Sequence, residues 1–193
     1  MKYLKYIGFS LAIALSLGFS GCGESSGDSS TPPAVSTVTG TFIDDPVEGL
    51  SYTCSSGNTN KTNSSGQYTC NVGDNVTFKL GNLILGTVAA QTTAITPYSL
   101  FPNNTTKAIN LARILQTINT KAKPGVIIID STLVSLVPSN TVLDSDSFQT
   151  AIETALSLPF VSAGEAQSTM NSAVTTAGGT IPTGSNNIPI ANA

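Results

Sequence analysis

The sequence predicts a mainly β fold, a small antiparallel sandwich or barrel, with two or three C-terminal α-helices packed on it. Turn residues recur about every eight to twelve positions between residues 40 and 90, and the runs between them are short and rich in Val, Ile, Thr, Tyr and Phe, as in closely spaced strands. Polar and apolar residues alternate in residues 75–80, as in a strand with one buried face. After Pro102 the apolar residues change to helical spacing, so the helices are expected to follow the strands.

The first 21 residues have the three-part pattern of a secretory signal peptide. Lys2 and Lys5 supply a basic start, residues 7–19 are mostly apolar, and Ser20 and Gly21 form a small-residue exit. The apolar run is shorter than the roughly 20 residues that a membrane-spanning helix needs. We therefore expect residues 1–21 to direct export and then to be removed.

The stretch 19–22, Phe-Ser-Gly-Cys, resembles the lipobox of bacterial lipoproteins, in which a small pair precedes a cysteine that becomes the acylated N-terminus. The resemblance implies that Cys22 carries acyl chains such as palmitate, and several chains on one residue make a durable anchor. Gly23 follows the cysteine where an Asp would signal inner-membrane retention, which implies the outer membrane or cell surface of a Gram-negative bacterium. The alternative is an ordinary signal peptide cleaved near Gly21, with Cys22 left as a free thiol.

The rest of the chain divides by composition. Residues 22–38 are rich in Ser, Gly and Pro and hold too few apolar groups to offset chain entropy, so they are predicted to be a flexible spacer. Residues 39–177 are predicted to form one β-rich domain with a helical C-terminal part, long enough for a real core. Residues 178–193, rich in Gly, Asn and Pro, are predicted to be a disordered tail.

The charge of the chain disfavours nucleic acid as a partner. The whole sequence has a formal net charge of −3, and Lys2 and Lys5 leave with the signal peptide, so the remaining 172 residues carry −5. An acidic chain without a Lys/Arg cluster has no electrostatic attraction to nucleic acid or to anionic lipid. Membrane contact is therefore expected through the lipid anchor, and a protein at the cell surface is the other partner considered.

The three cysteines of the chain predict one disulfide. Cys22 is assigned to the lipobox, which leaves Cys54 and Cys70 as an even pair in an oxidising compartment. Two β-like runs, residues 50–54 and 67–70, each close on one of these cysteines and flank a polar turn, so we predict a disulfide-pinned hairpin. Free thiols or metal ligands are the alternative, but no histidine is present to complete a thiolate site.

Part of the β region resembles a known family. Gly40, Asp44 and the stretch 46–52 resemble the opening of the transthyretin-like, carboxypeptidase-regulatory-like β-domains found in bacterial surface proteins. Residues 65–68 resemble the strand entry of that group, and residues 73–78 resemble its next turn. In that group these pieces shape turns, so the resemblance implies a fold and a display role, and it brings no catalytic residues with it. The predicted strands are residues 39–43, 50–54, 67–70, 75–80 and 83–89.

Helices are predicted in the second half. One covers residues 106–120, is capped by Asn104 or Thr105, and has one apolar face made of Ala108, Leu111, Ala112, Leu115 and Ile118. A β-branched run at residues 126–129 is predicted to be a buried strand. Asp144 and Asp146 are expected to begin a second helix that ends at residue 158, and residues 164–177 fit a third. Asp130, just past the buried run, fits a turn better than a cleft.

No constellation in the sequence predicts an enzyme. The absence of histidine excludes Ser-His and Cys-His nucleophilic sites and histidine-based metal sites. Asp44, Asp45 and Glu48 lie near one turn and Asp74 at another, which leaves a carboxylate pair for glycoside hydrolysis or oxygen ligands for calcium. Turn shaping through side-chain to backbone bonds is favoured. No catalytic residue and no cofactor are predicted, and Asp44, Asp45 and Asp74 are weak calcium candidates only.

Aromatic residues give little support to carbohydrate stacking. The chain has no Trp, and Phe42, Tyr52, Tyr68 and Phe78 fall within strand patterns and are expected in the core. The aromatic residues that lie in less regular stretches, and for which core packing is also favoured, are Tyr98, Phe101 and Phe160.

Three hypotheses follow. The first is a membrane-tethered exported lipoprotein that acts as a structural, adhesive or scaffold module. The second is a lipoprotein that binds a small ligand or polysaccharide, which a pocket lined by Tyr98 and Phe101 would favour. The third, the least favoured, is a carboxylate hydrolase, which an acidic cleft would favour.

Overall fold

The structure is a computed structural model that describes residues 35–120 and 123–183. All strands but one come before the helices in the described residues, and the helices pack on them, so the predicted fold class is confirmed. The strands in the described residues are β1 Thr37–Thr41, β2 Val47–Glu48, β3 Ser51–Cys54, β4 Thr59–Lys61, β5 Gln67–Asn71, β6 Asn75–Leu80, β7 Leu83–Ala89 and β8 Ile127–Ile128. The helices there are α1 Pro97–Leu100, α2 Thr105–Thr117, α3 Ser131–Leu136, α4 Phe148–Leu156 and α5 Ala163–Thr176.

The strands form three sheets. An antiparallel sheet of four strands has the order β4-β3-β6-β7, and a second antiparallel sheet pairs β1 with β5. The third sheet pairs β2 with β8 in parallel, with Val47 opposite Ile127 and Glu48 opposite Ile128. The β-branched run predicted to be a buried strand is therefore β8, and it ties the helical half of the chain to the β half.

The predicted hairpin between the cysteine-bearing runs is wrong, although both runs are strands. Strand β3 pairs with β4 on one side and β6 on the other, whereas β5 pairs with β1. The polar segment between them contains β4, which returns onto β3 through a tight turn at Gly57, a residue with φ +96°. Since both edges of β3 are occupied, β5 joins the other sheet.

The Cys54–Cys70 disulfide is present and joins the two antiparallel sheets. The Cα atoms of the two cysteines lie 5.6 Å apart, and both side chains are buried. Beside the bridge, the Tyr68 ring of β5 contacts two rings of the four-stranded sheet, with centroids 5.9 Å from Tyr52 and 5.5 Å from Phe78. Phe42 extends this aromatic core at 4.9 Å from Phe78, so the four aromatic residues assigned to the core lie in it.

Helix α2 closes the core from the other side. Every residue of its predicted apolar face is buried, and so are Ile109 and Ile114. Asn104 caps its start, with the side-chain oxygen accepting a hydrogen bond from the Lys107 backbone at 2.9 Å. With apolar residues around most of its circumference, α2 packs against both the sheets and α5.

The second predicted helix begins later than expected. Helix α4 starts at Phe148 with Ser147 at its N-cap position, so neither Asp144 nor Asp146 caps it. The Asp144 carboxylate instead accepts a hydrogen bond from Asn104 Nδ2 at 2.9 Å and lies 3.6 Å from Lys107 Nζ. Asp130 caps α3, a helix that the sequence did not predict, by accepting hydrogen bonds from the backbones of Thr132 and Leu133.

Both predicted boundaries of the β-rich domain, after residue 38 and after residue 177, fall within the described residues. Strand β1 begins at Thr37, inside the predicted spacer, and Val38 packs against the core. Helix α5 closely matches the third predicted helix, and the predicted tail is described only to residue 183. The predicted signal peptide, Cys22 and most of the predicted spacer lie outside the described residues. A search of the described helices for one long and apolar enough to cross a membrane finds none.

Removal of the disulfide is expected to destabilise the fold without abolishing it. The bridge closes a loop of sequence separation 16, so Cys54→Ala with Cys70→Ala should lower the free energy of unfolding by about 3 kcal/mol. Chemical denaturation measured by circular dichroism tests this, and reduction of the native protein serves as the matched control. Equal denaturation midpoints with and without the bridge would contradict the expectation.

Candidate functional site

A polar cluster surrounds the disulfide. The Asp74 carboxylate accepts hydrogen bonds from Ser55 Oγ at 2.8 Å, from Ser56 Oγ at 2.6 Å and from the Asn71 backbone at 3.0 Å. These donors, Ser56 and Ser55 first, hold the pKa of Asp74 below its usual range. The carboxylate therefore closes the 71–74 turn onto the β3–β4 turn beside the bridge.

The Asp74 cluster has the composition of a metal site but not its chemistry. Ligand atoms of Cys54, Cys70 and Asp74 lie within 4.8 Å of one another, the one such group of three among the described residues. The two sulfurs are bonded to each other, and a metal needs thiolates. Asp44 and Asp45 do not join Asp74, so the structure does not assemble the three calcium candidates into one site.

Asp44 is fully buried at the contact between the β region and the helices. Its two oxygens accept hydrogen bonds from Gln116 Nε2 of α2 at 3.1 and 3.4 Å, and the same amide donates to the Ala166 carbonyl of α5 at 3.1 Å. Burial raises the pKa of Asp44 well above its ordinary value of 3.8, and burial also raises that of Asp45. Asp44 is thus a buried acid that links three segments, and its side chain is not exposed to a cleft.

Arg113 of α2 is a buried cation held without a direct carboxylate contact among the described residues. Its guanidinium donates to the Val161 carbonyl at 2.7 Å, to Gln149 Oε1 at 2.8 Å and to Asn110 Oδ1 at 3.2 Å. The Phe160 ring lies 4.2 Å from its Cζ atom, so the cation also meets an aromatic face. Burial lowers the pKa of Arg113. This arginine fixes α4 and the segment before α5 onto α2.

One opening in the described residues is a groove of about 740 Å³, which we call the hydroxyl groove. One wall is the loop after β7, the floor is α1, and the other wall is the turn that follows α5. No charged side chain lines it among the described residues. Its lining consists of Thr41, Thr92, Thr93, Ala94, Thr96, Tyr98, Ser99, Pro102, Ala177, Gly178, Gly179, Thr180 and Pro182.

A second, smaller groove of about 240 Å³ is lined mostly by apolar side chains, with Lys107 and Thr141 as its polar members. Phe101 lines it together with Leu83, Leu85 and Leu143, and Ile84 and Val142 stand exposed at its rim. The structure therefore separates the two aromatic residues considered for one pocket, since Tyr98 lines the hydroxyl groove and Phe101 lines this one. The third, Phe160, stacks on Arg113.

The outer face of the four-stranded sheet carries an unbroken row of threonines. Their registers place one in each strand, directly opposite the next, and two pairs share hydrogen bonds of 3.2 and 2.8 Å between hydroxyls. Lys61 and Lys79 flank this row on either side of Ser51. We call this surface the threonine face; its row consists of Thr59, Thr53, Thr77 and Thr87.

Sequence reasoning missed Gln116, Arg113 and both grooves. Gln116 and Arg113 lie on a helix whose apolar spacing was the visible signal, and apart from Asn110 their acceptors come from segments 36 to 72 residues away. The hydroxyl groove combines three segments that no local pattern connects. Comparisons of this chain with protein-family models, curated proteins and solved structures find no match.

The buried acid predicts an unusual pH dependence. Because the pKa of Asp44 is higher in the folded chain than in the unfolded chain, its contribution to stability is full below pH 3.8 and falls as the pH rises through the folded pKa. Asp44→Asn should therefore gain stability relative to the native protein as the pH is raised from about 4 to about 8. Urea denaturation at several pH values measures this.

Asp74→Asn is the matched control, because the pKa of Asp74 is lowered by folding, whereas that of Asp44 is raised. The lowered pKa of Asp74 gives stability that is present above pH 3.8 and lost as the pH falls through the folded pKa. This variant should lose stability relative to the native protein as the pH is raised from about 2 to about 4, and the two should run parallel from about 5 to about 8. Parallel pH profiles for Asp44→Asn and the native protein would show that the buried carboxyl does not titrate abnormally.

Proposed function

We propose that this protein is an exported lipoprotein, tethered through Cys22 to the outer membrane or cell surface of a Gram-negative bacterium, that acts as a structural, adhesive or scaffold module. The observation that carries the proposal is the Cys54–Cys70 bridge between the two sheets. Structural disulfides form and persist in oxidising compartments outside the cytoplasm. The signal-like pattern of residues 1–21 and the lipobox-like stretch 19–22 support the same location.

The surface chemistry supports display over catalysis. Two of the carboxylates considered for hydrolysis serve other tasks, since Asp44 is buried against Gln116 and Asp74 closes a turn. The threonine face offers hydroxyls and methyl groups on a rigid sheet, with Lys61 and Lys79 beside them. A lipid anchor at residue 22 followed by a spacer would hold such a face away from the membrane. The expected partner is a protein at the surface.

A second candidate function is capture of a small ligand or polysaccharide. The hydroxyl groove favours it, because its volume of about 740 Å³ falls in the range of small-molecule sites. In this function the lipid anchor would keep the binding module at the membrane.

Export and tethering can be tested together in cells. The native protein should incorporate labelled palmitate and fractionate with membranes, whereas Cys22→Ser should take up no label and appear in the soluble fraction. Cys54 and Cys70 should react with a maleimide reagent only after reduction.

The double variant Cys54→Ser with Cys70→Ser is the matched control, since it keeps Cys22 and should remain labelled and tethered. Palmitate uptake by Cys22→Ser, or free thiols at positions 54 and 70 in untreated cells, would overturn the proposed location.

A further inference from the structure

The walls of the hydroxyl groove are fixed by contacts made outside it. The Tyr68 hydroxyl donates to the Gln91 carbonyl at 2.9 Å and accepts from the Gln91 backbone at 3.0 Å. The Ile95 backbone donates to the Thr41 carbonyl at 2.8 Å. These bonds anchor both ends of the 91–95 loop on β1 and β5, so Thr92 and Thr93 stand at the wall on a supported backbone.

The floor and the opposite wall are equally well supported. Tyr98 is buried, and its hydroxyl donates to Asn171 Oδ1 of α5 at 2.8 Å. Thr96 and Ser99 cap the start of α1 reciprocally. After α5, the Gly179 backbone donates to the Val174 carbonyl at 2.8 Å, which directs residues 178–182 along the groove. The groove is therefore formed before any ligand arrives, which limits the ordering cost of binding.

The lining sets the chemistry of the ligand. Hydroxyls of Thr41, Thr92, Thr93 and Thr180 make no hydrogen bond to other side chains or backbone in the described part of the protein. A hydroxyl both donates and accepts, so these four groups suit a ligand that presents many hydroxyls. None of the described residues that line the groove is charged, and a charged ligand would lose hydration there without compensation. Between the hydroxyls, alanine, glycine and proline offer apolar surface.

We propose that the hydroxyl groove binds a short uncharged oligosaccharide. Sugar hydroxyls would pair with the threonine side chains, and the C–H faces of the rings would pack on Pro102, Pro182 and Ala177. This proposal rests on the second candidate function, ligand capture, and names its ligand class. It does not depend on aromatic stacking, since the Tyr98 ring is buried in the floor.

Titration of the isotope-labelled full chain, followed by nuclear magnetic resonance, tests the proposal. The probes are maltotriose, cellotriose and triacetylchitotriose, with trigalacturonate as the charged comparison. At least one neutral trisaccharide should shift the amide signals of Thr92, Thr93, Ser99 and Thr180, and trigalacturonate should not. Thr92→Val with Thr93→Val should weaken that binding about tenfold, because two hydrogen bonds are lost while the side-chain shape is kept.

Thr77→Val with Thr87→Val is the matched control, since it removes two hydroxyls from the threonine face and should leave the binding unchanged. Binding that survives the Thr92 and Thr93 changes, or equal binding of trigalacturonate, would overturn the oligosaccharide assignment. A neutral tripeptide amide that shifts the same signals while the sugars do not would overturn the ligand class but keep ligand capture. If neither the sugars nor the peptide shift these amide signals, the oligosaccharide assignment and the ligand-capture function are both wrong.

Discussion

The two antiparallel sheets meet through one covalent bond, one aromatic cluster and hydrogen bonds of Tyr52 and Asn58 with the Thr69 backbone, and most of the fold depends on that meeting. Neither sheet shares a strand with the other, so backbone hydrogen bonds within the ladders cannot hold them face to face. The Cys54–Cys70 bridge does so at one end, and Tyr68 packs between Tyr52 and Phe78 at its side. A sheet of two strands is marginal alone, so β1 and β5 owe their order to this contact.

The helical half depends on the same arrangement through buried polar contacts. The Asp44 carboxyl reaches α2 through Gln116, and Arg113 of α2 reaches α4 and the segment before α5. Tyr68, beside the disulfide, also holds the loop that forms one wall of the hydroxyl groove. The bridge, the core and the groove are therefore connected by direct contacts. The hydroxyl groove, the proposed binding site, is therefore held rigid by contacts with this same core.

The sequence predicted those elements whose signals are local. Strands β6 and β7 agree with the predicted runs, because alternation and glycine turns mark both of them, and α5 agrees within a residue at each end. Strand β4 is exposed at all three residues, so it has no alternation to detect. Because β4 pairs with β3, β5 pairs with β1 in the other sheet, and the predicted hairpin between β3 and β5 does not form. Asp144 was assigned to its own helix although its partners lie on α2, about 40 residues earlier.

Amide hydrogen exchange before and after reduction of the disulfide measures most directly how far the packing of the two sheets depends on the Cys54–Cys70 bridge. If the bridge holds the sheets together over one core, reduction should speed exchange in β1 and β5 and in the central strands β3 and β6 alike, by about a hundredfold for a loss near 3 kcal/mol. Unchanged protection in both sheets after reduction would show that the other contacts between the sheets hold them together without the bridge. The bridge would then not be the constraint on which this structure rests.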